Sequence, residues 1–320
     1  GRSLIGLGAA GAFIGATRVA AMWFSARILP VVLGLGIALG KMGGMMANLP
    51  LSHMLDSLPW RTTMLILAGI MSVISAGIWI VLRDKPVQQT ETPSTSWKQH
   101  TQSLSLLLKN PTVLKIAMYG GLMYTPLSVF ADAWSISFLA QRNNISLSCA
   151  AQLSTVFLLG SSIGSVGLPF IASRWLQNNY ALCMRASAFV SIWVYGILVF
   201  TTWGSESWPL SFFLVLAAGI AFTGQILVFA YSYQFVSVHV EGALTGVINS
   251  LVMFSGAMIQ PLVGSLISYA QKTYGYSATV IPLAHYQVAL AILPVSMLAA
   301  FLVSMSFPAF ASEKKRAFQN

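Results

Sequence analysis

Charge is what this sequence has least of. Of 320 residues, 17 are Lys or Arg and 7 are Asp or Glu, or 8%, against about 25% in a soluble domain. So few charges cannot clothe a chain that is 56% hydrophobic with a mean hydropathy of +0.76. A soluble globular enzyme and a disordered tail are excluded. A nucleic-acid-binding face is excluded too, despite the net charge of +10, because the basic residues are scattered among apolar runs and coat no single face. Cysteine is nearly absent. Cys149 and Cys183 both lie in apolar runs and form neither a disulfide framework nor a zinc-binding spacing. The signatures HExxH and GxSxG and the Walker phosphate loop are missing, and His53, His100, His239 and His285 are dispersed. No cofactor, metal or enzymatic chemistry is expected.

Long apolar runs are what the sequence has in abundance. A membrane helix needs about 20 mainly apolar residues, and nine runs qualify: 4–21, 29–50, 63–82, 112–133, 147–172, 181–202, 210–235, 244–269 and 286–307. They are continuous and do not alternate with the period of two that a membrane β-barrel needs. The fold class is therefore all-α and polytopic. Residues 83–111 form the one long polar connection. Within it, 97–108 reads equally as a short amphipathic surface helix or a solvated linker. Three spans precede this loop and six follow.

The basic residues orient these spans. Alternating loops place Arg18, Arg27, Arg83, Lys85, Lys98, Lys109, Lys115, Arg174, Arg185, Lys314, Lys315 and Arg316 on one side, and Arg61, Arg142 and Lys272 on the other. Twelve against three puts the first side in the cytoplasm. The expected location is the inner (plasma) membrane, with the central loop 83–111 and the tail 311–320 cytoplasmic. The chain opens on Gly1-Arg2, already apolar, with neither an initiator Met nor a basic leader. It is expected to begin within a membrane span.

An internal repeat relates the second span to the eighth at an offset of 212: Gly34 with Gly246, Leu39 with Leu251, Gly44 with Gly256, Met46 with Met258, and Asn48 with Gln260. Parallel repeats are one of the two common architectures of secondary transporters. Several motifs then converge. Arg2-x-x-x-Gly6-x-Gly8-Ala9 resembles the fourth-helix motif of the major facilitator superfamily. Pro59-Trp60-Arg61 resembles the opening of its sixth helix. The run from Gly242-Ala243-x-x-Gly246-x-x-Asn249 to Gln260-Pro261-x-x-Gly264 is similar to its eleventh. The resemblance implies nine of twelve transmembrane helices, the fourth to the twelfth. Residues 1–82 would be the remnant of an N-terminal half, and 112–310 a six-helix C-terminal half. The segment from Gly167-Leu168-Pro169 to Ser173-Arg174 departs from the family's gating loop, keeping only a Gly and an Arg. The run from Tyr119-Gly120-Gly121 to Asp132-x-Trp134 resembles bacterial members that carry small organic solutes.

Candidate residues come from charges that lipid should exclude. Lys41 sits near the middle of its span. At about 100° per residue, Gly34, Ala38, Lys41, Met45 and Asn48 share one face. The matching face of the eighth span carries Asn249, Met253 and Gln260. Both faces are expected to line a solute pathway, with Lys41 pairing an anionic group; the competing reading is a structural ion pair. Gly36, Gly40 and Gly44, and Gly160 with Gly164, form small-residue stripes that let helix backbones approach closely; the resemblance implies that the second and fifth spans touch across the two halves, where the stripes read equally as a rocking contact or a static packing seam. Asp132 lies near the end of a span beside Tyr124 and Trp134. It reads as a substrate or proton site, or as an interfacial residue. The resemblance implies a substrate or proton-coupling role for Arg2. It also implies a cavity lined by the fourth and seventh spans, where Tyr124, Ser128, Gln225 and Tyr231 are the polar positions.

The expected function is secondary active transport by alternating access of a small polar, anionic or zwitterionic organic solute, with a proton as coupling ion, by a monomer in the lipid membrane. A channel would need rings of charge or filter-like backbone repeats. A membrane enzyme would need clustered catalytic groups. A transporter-like sensor that binds solute without flux remains compatible with the sequence.

Overall fold

The computed structural model describes residues 28–81, 104–202, 208–236, 240–274 and 281–308, with scattered positions between 8 and 24. Eight long helices run through them: α1 (Leu29–Ser57), α2 (Trp60–Val81), α3 (Pro111–Asn143), α4 (Leu147–Arg174), α5 (Tyr180–Phe200), α6 (Trp208–Phe235), α7 (Glu241–Tyr274) and α8 (Leu283–Met305). The described residues contain no strand. Seven of these helices, α2 to α8, are long and apolar enough to cross a membrane. The first expected span, 4–21, falls largely outside the described residues. Of the suggested surface helix, 104–109 is helical and 97–103 lies outside them.

Local chemistry sets the helix ends. Pro111 opens α3 at a position whose N–H would be orphaned anyway. Asn110 caps it, its Oδ1 accepting from Thr112 N at 2.9 Å and Val113 N at 3.4 Å. Ser146 and Asn179 cap α4 and α5 in the same way. Helix α3 continues well past residue 133, the expected end of its span, and stops where Asn144 turns left-handed at φ 52°. The apolar run ends at Asp132, but a polar residue does not end a helix. At 33 residues, α3 is about 50 Å long, more than the hydrocarbon core it crosses.

Helices α3 to α8 bury one continuous core containing Tyr119, Phe130, Phe138, Phe157, Tyr195, Phe222 and Met297. Glycines set the close approaches. Gly160 of α4 lies against Leu216 O of α6, and Gly219 of α6 against Phe157 O of α4. Gly120 and Gly121 of α3 receive Val252 and Ser255 of α7. Helix α1 lies along α4, and α2 touches α1 and is exposed along its described length, with Thr63 its buried residue.

The α1–α4 seam differs from the expected glycine stripe. Gly36 and Gly40 face open space, the side chain of Met45 and the surroundings of Gly44 lie outside the description, and Gly160 and Gly164 pack on α6 rather than α1. The contact runs instead through Gly34 and Ala38, both buried. A methyl on Gly34 would fall 1.9 Å from Ser165 O. Lipid is as apolar as a helix neighbour, so small residues alone do not reveal which stripe is covered.

Two helices leave α geometry. Residues Pro126–Trp134 of α3 form a π-helix, and Phe222–Ile226 of α6 a 3-10 turn. Hydroxyls from α5 mend the second break. Tyr195 Oη donates to Ala218 O at 2.6 Å, Ser187 Oγ donates to Ala221 O, and Gly224 N donates to Ser187 Oγ at 3.1 Å. In hydrocarbon such backbone groups have no water to turn to. Ser187→Ala strands a carbonyl and an N–H together. It is expected to cost about 1–3 kcal/mol and lower Tm in detergent by roughly 2–10 °C; an unchanged Tm would refute the repair role.

Candidate functional site

Lys41 projects from α1 at the α4 seam and is half-buried. Its ammonium donates to Ser165 Oγ at 3.5 Å and sits 5.1 Å from the centre of the Phe222 ring. Ser165 gives its own proton to Ser161 O at 2.6 Å, so a lone pair is left to face the cation. Phe222 is fixed in turn by stacking on Phe157, centroids 5.3 Å apart and planes at 6°. A desolvated ammonium over an aromatic face is stabilised by about 2 kcal/mol. Phe222 opens the 3-10 turn that Ser187 mends, so the α5 hydroxyl supports the ring on which Lys41 rests.

Asp132 is an acid of opposite sign in the π segment of α3, where it is exposed. No direct ion pair joins it to Lys41 among the described residues. A π segment widens the helix and leaves one turn irregular, a feature common at functional sites. Tyr124 is half-buried one turn before Ser128, and both pack on Gly256 of α7. Trp134 lies over Gly264 of the same helix at 3.7 Å and against Tyr286 of α8. Asn249 and Gln260 of α7 are half-buried. By helical register they lie within about 40° of Gly256, on the stripe that receives α3.

Tyr124 and Ser128 thus share the α3–α7 seam whose α7 stripe carries Asn249 and Gln260, while Lys41 meets Ser165 of α4 and Phe222 of α6. Gln225 is half-buried in the 3-10 turn three residues beyond Phe222. Tyr231 is placed elsewhere. It is buried in the core, its hydroxyl donates to Pro308 O at 3.1 Å, and its ring packs on Phe235 and Phe307. Arg2 and the side chain of Asn48 lie outside the described residues. Sequence reasoning missed Ser165 and Phe222, because a Ser in an apolar run and a core Phe carry no distinguishing signal. It also set Arg142 in an outer loop. Arg142 is buried at the end of α3, donating to Thr201 O at 3.1 Å, Asn143 Oδ1 at 3.1 Å and Ser211 Oγ at 3.4 Å. It ties α3 to the ends of α5 and α6. Among the described residues no group of three His, Cys, Asp or Glu side chains is placed to hold a metal.

The family model for the Major Facilitator Superfamily matches residues 1–261. The chain belongs to the major facilitator superfamily. Solved structures of similar fold agree. A single-residue variant of the E. coli fucose:proton symporter superposes with a TM-score of 0.60 at 14% identity, over 91% of this chain and 72% of that one. A bacterial homologue of the iron transporter ferroportin, in an outward-facing state, superposes with a TM-score of 0.61 at 12% identity, over 88% of this chain and 65% of that one. The chain therefore spans just under two thirds of the second structure. No curated protein matches the sequence. As a superfamily member with this helical fold, the chain is a multi-pass membrane transport protein and not an enzyme.

Proposed function

We propose that this superfamily member is a secondary active transporter that moves a small polar, charged organic solute by alternating access. The observation that carries the reading is the placement of Lys41. A half-buried ammonium on α1 rests on Ser165 of α4 and Phe222 of α6. Phe222 opens the 3-10 turn of α6, and α3 carries a π segment. Discontinuous helices meeting at mid-membrane charges are a recurring way to build a transporter site, and intramembrane charges mark substrate or ion paths.

In this reading Lys41 and Asp132 contact the solute, Tyr124, Gln225, Asn249 and Gln260 line its path, and Arg2 and Asn48 belong to the first half. Residues 1–82 and 112–310 are the two moving halves, and α1 against α4 is their contact. The basic-residue bias puts the start of α1 and the end of α4 on the cytoplasmic side of the plasma membrane. A seam closed there corresponds to a closed inner gate. The coupling ion is the proton, and the working unit is the monomer. Uptake of a labelled metabolite panel into proteoliposomes, with and without an inward proton gradient, tests this. Saturable uptake accelerated by the gradient is expected. Linear, non-saturating flux would indicate a channel, and binding without flux a sensor.

A further inference from the structure

A cleft of about 270 Å³ opens between the start of α1 and the end of α4. Ile28, Val31 and Val32 form one wall, and Phe170, Ser173 and Arg174 the other. Ile28 and Phe170 are about half exposed, at 46% and 50%. None of the six residues is acidic. Ser173 Oγ donates to Phe170 O at 3.0 Å, so the one hydroxyl is spent on its own helix. Arg174 is exposed, and among the described residues no hydrogen bond or ion pair engages it. The other described arginines each have a partner. Arg185 donates to Ser304 O at 2.9 Å and Phe307 O at 2.7 Å, Arg142 donates to Thr201 O at 3.1 Å, and Arg61 lies 4.9 Å from the centre of the Trp60 ring.

The cleft lies where α4 leaves the bilayer. Trp175 follows at 69% exposure, and Gln177 and Asn178 then turn the chain with φ of 50° and 63°. An exposed Trp beside a polar turn marks the headgroup level. The walls are thus apolar on the membrane side, and a cation without a partner stands at the rim. A ligand that matches both has a hydrocarbon tail and an anionic head. A neighbouring helix does not fit: one turn, about 10 Å across and 5.4 Å high, fills about 400 Å³. We infer that the cleft binds an anionic phospholipid, one acyl chain lying along Ile28, Val31, Val32 and Phe170 and the phosphate held by Arg174. A guanidinium meets a phosphate through two parallel N–H···O bonds, and basic pockets between membrane helices take such headgroups. Because the walls come from two helices, the lipid binds while α1 and α4 lie together. The inference needs the membrane but not the transport reading above.

The test uses the purified full chain, freed of lipid in detergent. It is titrated with phosphatidylglycerol and with phosphatidylcholine of the same acyl chains, and bound lipid is counted by native mass spectrometry. One phosphatidylglycerol is expected to bind about fivefold more tightly than phosphatidylcholine, the factor that one basic residue supplies at an anionic surface. Arg174→Gln is expected to erase the preference and Arg174→Lys to keep most of it. Arg61→Gln removes an exposed cation that does not line the cleft, and is expected to leave the preference unchanged. Gly34→Ala, which parts α1 from α4 without altering a lining residue, is expected to weaken phosphatidylglycerol binding. A phosphatidylglycerol with a photoreactive group on its acyl chain is expected to label residues 28–32 and Phe170.

Equal affinity for the two lipids overturns the inference. So does a preference that survives Arg174→Gln, or one that falls as far with Arg61→Gln, because the lipid is then a general coat and not the occupant of a site. Unweakened binding to Gly34→Ala, or a photolabel confined to other helices, overturns the two-walled cleft. Glycerol 3-phosphate, a phosphate head without chains, is expected not to displace phosphatidylglycerol; displacement at equal concentration would make the ligand a free phosphate and overturn the lipid. These titrations contain no solute, so their failure leaves the transport reading standing, and a failure of uptake leaves the lipid site standing.

Discussion

Lys41→Gln is expected to lower kcat/KM for uptake about 100-fold, the ~3 kcal/mol lost when one partner of a desolvated charge contact is removed. The same change is expected to leave Tm unchanged or raise it. In the resting protein Lys41 has a 3.5 Å hydrogen bond and a ring contact, and replacing an ammonium by an amide in lipid relieves a desolvation cost. Opposite movement of activity and stability is the diagnostic feature. A purely structural ion pair with Asp132 would make both fall together, because removing one partner leaves the other charge uncompensated. Lys41→Arg keeps the charge, but its planar fork suits neither the Phe222 geometry nor a point contact with the solute. It is expected to rescue uptake only in part. Initial rates in proteoliposomes and Tm in detergent, on the same preparations, decide the question.

The second large effect belongs to Gly34. A methyl there would stand 1.9 Å from Ser165 O and 3.0 Å from the carbonyl carbon. Both atoms are backbone, so no side-chain end can swing away, and the helices themselves must part. Overpacking of this kind costs about 1–3 kcal/mol, enough to shift a two-state equilibrium roughly 5- to 150-fold. Ile28, Val31 and Val32 at the start of α1 and Phe170, Ser173 and Arg174 of α4 line a cleft of about 270 Å³ beside this contact. Cysteines replacing Val32 and Ser173, in a chain freed of Cys149 and Cys183, report the separation by their cross-linking rate. Gly34→Ala is expected to slow cross-linking about tenfold and to slow uptake with it. Gly36→Ala and Gly40→Ala point into open space and are expected to leave both unchanged. Equal slowing by Gly36→Ala would contradict the seam.

The contrast between these glycines shows how much the sequence could carry. Hydropathy located the membrane helices within a few residues for α2, α4, α5 and α6, because a continuous apolar run has one stable form in lipid. The helical wheel correctly put Gly34, Ala38 and Lys41 on one face. It could not say what that face met, since lipid and a neighbouring helix select the same small and apolar residues. The face expected to line a pathway proves to be packed on α4 along Gly34 and Ala38, with Lys41 at its half-buried end. Periodicity cannot show the π segment or the 3-10 turn either. Pro126 hints at the first; the second depends on Ser187 and Tyr195, which lie on another helix. Rarity is the other signal: Lys41 and Asp132 are candidates because lipid tolerates few charges.

Counterflow tests the central claim most directly. Proteoliposomes holding the full chain are loaded with a high concentration of an unlabelled solute that the panel shows to be taken up, then diluted into a trace of the labelled form with all ion gradients collapsed. Alternating access predicts a transient accumulation of label above the outside concentration, lost in Lys41→Gln and diminished in Gly34→Ala. Label that only relaxes to equilibrium, with no overshoot, would contradict an alternating-access carrier.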